Sequence, residues 1–519
     1  MAPKWLKDAV FYEIYPQSFK DTNGDGIGDF NGIIEKLDYI KSLGCNALWI
    51  NPCFDSPFKD AGYDVRDYKK VAPRYGTNND LYRLFGEAHK KGIHVLLDLV
   101  PGHTSEEHEW FRQSQKAEKN EYTNRFIWTD FCFQGAKGLP YIGGESERSA
   151  TYILNFFKCQ PALNYGFLHP DEPWQLGIDH PDTIATREAM KDVMRFWLDH
   201  GCDGFRVDMA ASLVKFDDEK KSGTSAIWKN VREMLDADYP EAAMVSEWSD
   251  PKLALRAGYH MDFYLNHPGG GYNSLMRDYQ PAWWAGEEDK KDNSYFKKDA
   301  DRDISRFLGE YMDWYEDTKE IGYISMLTCN HDTVRPRFNL EPDELKLAYA
   351  FLFTMPGVPY LYYGDEIGMR YLDLPTKEGG YFRTGSRTPM QWDESANLGF
   401  SDGCADSLYL PVDPAGDAPT VAGQEKDPYS LLNTVKALLA LRHAQEDLQA
   451  DAPFVPVCTE KGKPFVYQRG ALLVAVNPAG TDVCAEVDAD GRECLYKIGK
   501  AEAADGKLVM GPQSFVVLK

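Results

Sequence analysis

An acid closes each of three short apolar runs that lie far apart in the chain. Asp208 ends Gly204-Phe205-Arg206-Val207-Asp208, Glu247 ends Met244-Val245-Ser246-Glu247, and Asp332 ends Leu327-Thr328-Cys329-Asn330-His331-Asp332. Two carboxyl groups brought together can divide the work of bond cleavage, one attacking as an ionised nucleophile and the other donating a proton. Arg206 stands two residues before Asp208, so on a strand both side chains leave the same face. A guanidinium there is expected to hold Asp208 ionised at neutral pH. Glu247 follows Met244-Val245 and precedes Trp248, and apolar surroundings would raise its carboxyl toward the range of a general acid. A lone acid at a strand end reads more simply as a helix cap or an ion-pair partner. Three of them, on separate runs, point instead to one constellation.

Strand-end acids from distant segments converge when the strands run parallel and close into a barrel, whose chemistry sits at the carboxyl ends. Eight runs of strand length are legible, at 10–19, 47–52, 94–100, 204–210, 243–248, 260–266, 323–330 and 358–366. Amphipathic stretches separate most of them; in 79–91, for instance, Leu81, Leu84, Phe85 and Ala88 share one face. The pattern predicts an α/β fold, a (β/α)8 TIM barrel covering residues 1–103 and 179–448. Residues 104–178, rich in aromatics, Gly and Pro, exceed an ordinary connection and are expected to form an inserted subdomain after strand 3. A second excursion, 370–427, follows strand 8 and should border the same mouth. Beyond a last helix at 429–448, residues 449–519 turn short, β-rich and punctuated by Gly and Asp, which predicts a C-terminal antiparallel β-sandwich.

Composition narrows the partners. The net charge of −24 over 519 residues argues against nucleic acid and anionic membrane surfaces. No run approaches the roughly 18 apolar residues of a membrane span. Acidic residues interrupt the first apolar run, so a signal peptide is not expected. Ten singly scattered cysteines without metal-ligand spacing read as reduced thiols, and the expected location is cytoplasmic.

Taken together, the segments resemble the signature regions of the α-amylase family, glycoside hydrolase family 13. Leu97-Asp98-Leu99-Val100-Pro101-Gly102-His103 resembles the region at strand 3, Gly204–Asp208 the nucleophile region, Val245-Ser246-Glu247 the acid/base region and Asn330-His331-Asp332 the region at strand 7. Gln160-Pro161-Ala162-Leu163-Asn164 and Gly364-Asp365-Glu366 agree more weakly. The resemblance implies double displacement with retention: Asp208 as nucleophile, Glu247 as acid and then base, Asp332 as stabiliser of the distorted sugar. It further implies substrate contacts from His103, Arg206 and His331, and from Asp60 and Tyr63 at a closed, exo-type end of the glucose site. Phe382-Arg383-Thr384-Gly385-Ser386-Arg387 is similar to a stretch of the oligo-1,6-glucosidase, α-glucosidase and dextran glucosidase branch. That likeness makes Arg383 a sugar-binding residue, with Arg387 as the rival choice. The expected activity is exo-acting hydrolysis of short α-glucosidic oligosaccharides. A transglucosylase or sugar isomerase of the sucrose or trehalose type would use the same intermediate, and a non-catalytic binding member of the fold would have shed the acids.

Asp21-Thr22-Asn23-Gly24-Asp25-Gly26-Ile27-Gly28-Asp29 spaces oxygen donors as the start of a calcium loop. Asp21, Asn23, Asp25, the Ile27 carbonyl and Asp29 are therefore candidate ligands for structural Ca2+, or Mg2+. Gly32 replaces the bidentate Glu of an EF-hand, and the alternative reading is a turn with Asp29 as a helix N-cap. Three positions depart from the family's habits. Gly102 stands where many members carry an Asn that ligates a second calcium, so that site is not expected here. Met209 leaves the linkage preference open, and Ala162 replaces a common acid. Phe156, Phe157, Tyr165 and Trp174 could stack on sugar or form the subdomain core.

Overall fold

Side-chain alternation along eight short parallel strands builds two cores back to back. The computed structural model describes residues 2–265, 267, 270–278, 292–301, 303–379 and 383–519. Its barrel strands are β1 (Phe11–Ile14), β2 (Ala47–Ile50), β3 (His94–Leu99), β4 (Gly204–Val207), β5 (Ala243–Ser246), β6 (Met261–Phe263), β7 (Tyr323–Ser325) and β8 (Tyr360–Tyr362). Every neighbouring pair from β8 through β1 to β7 is parallel. A parallel bridge from Leu327 to Tyr360 joins the last two, with the Thr328 N–H donating to the Tyr360 carbonyl at 2.9 Å. The sheet is thereby closed, and no strand edge is left along it.

The inward residues Phe11, Ala47, Trp49, Leu96, Val245, Met261, Phe263 and Tyr360 fill the barrel as one cluster, with Phe11 and Tyr360 stacked at 4.4 Å. Their neighbours Tyr12, Leu48, Val95, Leu97, Phe205 and Met244 point outward and pack under the helices. Each helix follows from a local signal. Asn78–Lys90 starts at a capping box between Thr77 and Asp80 and buries Leu81, Leu84, Phe85 and Ala88, the face read from the sequence. Close approach also matters: at Gly204 (φ +142°) a Cβ would lie 1.9 Å from the Ala243 carbonyl oxygen. Only glycine lets β4 lie against β5 there.

The strands are shorter than the apolar runs that announced them. The first run extends to 19, but the chain leaves β1 at Ile14 and turns through Pro16–Ser18. The seventh reaches 330, whereas β7 stops at Ser325. Beyond β1 the chain turns through a short 3-10 helix, whereas beyond β7 Leu327 and Thr328 still bridge to Tyr360 before the chain turns at Asn330. Asn266, the end of the sixth run, lies outside the described residues, as does Phe382.

Between β3 and β4 the chain forms helix Glu109–Ser114 and the hairpin of Tyr141–Gly143 with Thr151–Ile153. Ile127, Ile153, Ala162, Phe167 and Trp174 form a small core of their own. At the other end, five antiparallel strands face three more across Val466, Leu473, Ala475, Leu508, Met510 and Val516. The opposite face of the larger sheet, through Phe465, Tyr467, Val474 and Phe515, joins the core that holds helix Pro342–Thr354. No helix among the described residues is long and apolar enough to cross a membrane, and all ten cysteines are free.

Candidate active site

Register places the first three charged groups. β3 and β4 pair so that Asp98 sits beside Arg206, and β4 and β5 so that Val207 sits beside Ser246. The Glu247 N–H then donates to the Val207 carbonyl at 3.0 Å, which brings Asp208 and Glu247 to the same rim. Arg206 is the hub. Its Nη1 donates to Asp98 Oδ1 at 2.8 Å and to Asp208 Oδ1 at 3.0 Å, while its Nη2 pairs with Glu247 Oε1 at 2.9 Å. The guanidinium is fully buried over the Trp49 ring. Glu247 Oε2 accepts from the backbone N–H of Met209 at 3.0 Å, and Met209 adopts φ +42° to offer it.

Two expectations about these acids need correction. Arg206 does not by itself hold Asp208 ionised: burial and the neighbouring Glu247 carboxylate push the Asp208 carboxyl well up, against the pull of Arg206. One cation faces three carboxyl groups, so the charged form of Asp208 is disfavoured. Nor is Glu247 in an apolar pocket; its side chain is 20% exposed and paired with Arg206. Asp98 is itself pushed up to about 6 by burial, with Arg206 opposing, and accepts from Trp49 Nε1 and the Tyr63 hydroxyl at 3.1 Å each.

Asp332 has the opposite environment. Oδ1 receives Arg383 Nη1 at 2.9 Å and Arg387 Nη2 at 2.6 Å, and His331 Nε2 lies 3.5 Å from Oδ2. Burial disfavours its charge, but the guanidinium groups of Arg383 and Arg387 hold it well below the usual carboxylate range. Arg383 also grips Asp60 Oδ1, whose other oxygen accepts from Gln160 Nε2 at 2.7 Å. Asp60, Arg383 and Asp332 thus form a continuous wall. Arg383 and Arg387 of the second excursion both reach Asp332.

Tyr63 ties the two halves together. Its hydroxyl lies 2.6 Å from His331 Nε2, and its carbonyl accepts from His103 Nε2 at 3.1 Å. His331 Nδ1 faces Glu13 Oε1 at 2.8 Å, and burial lowers both histidines, His103 to about 3, so both are neutral. His103 Nδ1 receives Asn155 Nδ2 at 3.1 Å. Asn155 occupies the space that a side chain at position 102 would need: a Cβ on Gly102 would lie 2.8 Å from Asn155 Nδ2. Asp98, Glu13, Asn51, Asn155 and Gln160 join the site without having been singled out. Glu13 carried a signal, an acid inside the apolar run Phe11-Tyr12-Glu13-Ile14. Of the aromatics, Trp174 belongs to the subdomain core and Tyr165 is buried, whereas Phe156 is 37% exposed.

The loop 21–29 lies apart from the acids. Asp21 Oδ1 accepts from the N–H of Asn23 and Gly24, and its Oδ2 from Gly26 N–H and Ser401 Oγ. Asn23 and Asp25 accept from the N–H of Asp25 and Ile27 respectively. Asp29 caps helix Phe30–Glu35 and also accepts from Thr22. The donors are all oxygen, which suits a hard cation. Among the described residues, no three His, Cys, Asp or Glu side chains gather as a metal would require.

A family model described as "Alpha amylase, catalytic domain" matches residues 13–451. The chain is 33% identical over 480 residues to a trehalose synthase/amylase TreS of Mycolicibacterium smegmatis, covering 84% of this chain and 76% of that one. It is 31% identical to an oligo-1,6-glucosidase of Heyndrickxia coagulans, covering 91% and 92%. The trehalulose synthase MutB from Pseudomonas mesoacidophila superposes with a TM-score of 0.82 over 100% of both chains, at 26% identity. With the signature acids gathered at the carboxyl ends of a closed parallel barrel, this chain belongs to the α-amylase family of glycoside hydrolases.

Proposed function

We propose that this enzyme is a retaining, exo-acting α-glucosidase that cleaves short α-glucosidic oligosaccharides or disaccharides. The observation that carries the reading is the grip of one guanidinium, by separate nitrogens, on both Asp208 and Glu247 at adjoining strand ends. Asp208 attacks the anomeric carbon as Glu247 protonates the departing oxygen; Glu247 then takes a proton from water, which releases the glucosyl group from Asp208. Double displacement needs the proton on Glu247 and the charge on Asp208, and the cationic sugar transition state favours ionised Asp208. Asp332, kept charged by two arginines, receives sugar hydroxyls more strongly as positive charge builds on the ring. The Asp60–Arg383 pair ends the site, which supports release of single glucosyl units from a non-reducing end.

A second reading is glucosyl transfer or isomerisation through the same intermediate, favoured by relatives named trehalose synthase/amylase and trehalulose synthase. Incubation with maltose, isomaltose, sucrose and trehalose, with every product identified, separates the two. Free glucose in step with substrate loss supports hydrolysis; isomerised or transferred product with little glucose overturns it. For the loop 21–29, Asp21, Asn23, Asp25, Asp29 and the Ile27 carbonyl would hold Ca2+, or Mg2+, in a purely structural role. The all-oxygen donor set supports this, and metal analysis of the purified protein before and after chelation tests it. Cysteines left free throughout support a reducing, cytoplasmic location.

A further inference from the structure

Asp262 lies in the middle of β6, opposite Ser246 in the register with β5, and is completely buried. A carboxyl group on a buried strand face is costly, and an apolar residue would fill the same place at less expense. Its hydrogen bonds are unevenly distributed. Oδ1 accepts from Ser246 Oγ at 2.6 Å, from the Trp248 N–H at 3.2 Å and from the Ser249 N–H at 3.3 Å. Oδ2 is buried and has no hydrogen-bond partner among the described residues. One oxygen therefore binds the residue before Glu247 and the two residues after it. Burial pushes the carboxyl up to about 8 in spite of those bonds.

The backbone held in this way is unusual. Ser249 adopts φ +58°, a left-handed conformation that non-glycine residues rarely take. Its N–H is tied to Asp262, and its Oγ accepts from the Leu265 N–H at 3.2 Å. The turn that leaves Glu247 is thus bent sharply and secured from β6. Glu247 itself is held at its tip by Arg206 and Met209 and at its own N–H by the Val207 carbonyl, all carried by β4 and the residues just after it. Strand β6 holds the chain on either side of the acid, and β4 holds the acid's own N–H and its head.

We propose that Asp262 is a positioning residue for Glu247, its Oδ1 clasping the chain on both sides of the acid and thereby setting where the carboxyl meets the glycosidic oxygen. This rests on Glu247 being the acid/base. A displacement of about 1 Å in such a group costs up to about 100-fold. The loss should fall on proton donation and spare steps that need no proton.

The test compares kcat/KM of the wild type, Asp262→Ala, Asp262→Asn, Ser246→Ala and Glu247→Ala on maltose or isomaltose, whose leaving groups need a proton, and on α-glucosyl fluoride, whose leaving group does not. Glu247→Ala checks the underlying assignment: it should lose far more on the disaccharides than on the fluoride, and an equal loss would overturn the assignment of Glu247 instead. Given that control, Asp262→Ala should fall about 10- to 100-fold on the disaccharides and no more than about threefold on the fluoride. Asp262→Asn, which keeps the accepting oxygen, should restore most of the disaccharide activity. Ser246→Ala, which removes one of the three bonds, should show a smaller loss of the same selectivity and serves if the Ala variant at 262 does not fold. Equal losses on both substrates, or no loss on either, in Asp262→Ala or in Ser246→Ala in its place, would overturn the proposal.

Discussion

The two sides of the mouth solve opposite electrostatic problems. On the β3–β5 side, one buried arginine serves three acids, Asp98, Asp208 and Glu247. On the side of β7 and the excursion after β8, two arginines converge on one acid, Asp332. An excess of carboxyl groups raises Asp208 at the reacting bond, and an excess of guanidinium keeps Asp332 negatively charged. Acid/base chemistry needs the first, and charge stabilisation needs the second. The contrast shows that carboxyl groups alike in sequence take their roles from how many cations each must share.

The sharpest way to break the contrast is at the nucleophile. Asp208→Asn should lower kcat by about 10⁴-fold or more, because a neutral amide cannot form the ester intermediate. Turnover near wild type would remove the mechanism altogether. On the other side, Asp332→Asn should cost about 100- to 1,000-fold in kcat, the scale of losing one preorganised charge at the transition state. A change confined to KM would show that Asp332 binds only the ground state.

The acid-rich side can be pushed in both directions. Arg206→Lys weakens the cation's hold, so the protonated form of the acid pair persists to higher pH and the acid limb of the kcat/KM profile should rise by about one pH unit. Asp98→Asn removes a neighbouring negative charge that raises Asp208, so the same limb should move down. Shifts of the same sign in the two variants would refute the shared-cation account. The smallest effect is expected at Arg383→Lys, which keeps charge but loses the fork joining Asp60 to Asp332. KM should rise about tenfold while kcat changes less, and substrates with an extra glucose at the non-reducing end should gain relative activity as the wall opens.

The barrel was legible because strand-length apolar runs alternate with helical periodicity, and because barrel strands display that pattern locally. The helix Asn78–Lys90 shows how far this reaches: its buried face could be read residue by residue, whereas the Thr77–Asp80 capping box that starts it, one residue before the expected 79, was not. Strand ends were less legible: after β1 the apolar run continues while the backbone turns into Pro16–Ser18, and after β7 the pairing thins to a single bridge at Leu327. Within the site, the acids and Arg206 stood out by spacing. Asp98 and Asn155 did not, because their meaning depends on partners across the sheet register and across the subdomain, at Arg206 and His103.

Sequence alone therefore determined the class of chemistry: three strand-end acids, an arginine two residues before one of them, and a parallel barrel to bring them together. Their protonation was decided by the tertiary structure. Sequence spacing placed Arg206 with Asp208, but only the closed barrel brought Asp98 and Glu247 to the same guanidinium and aimed Arg383 and Arg387 at Asp332. The reason is physical. Side-chain type and local period are written along the chain, whereas a pKa is set by burial and by every charge within a few ångströms, most of them contributed by residues far away in sequence.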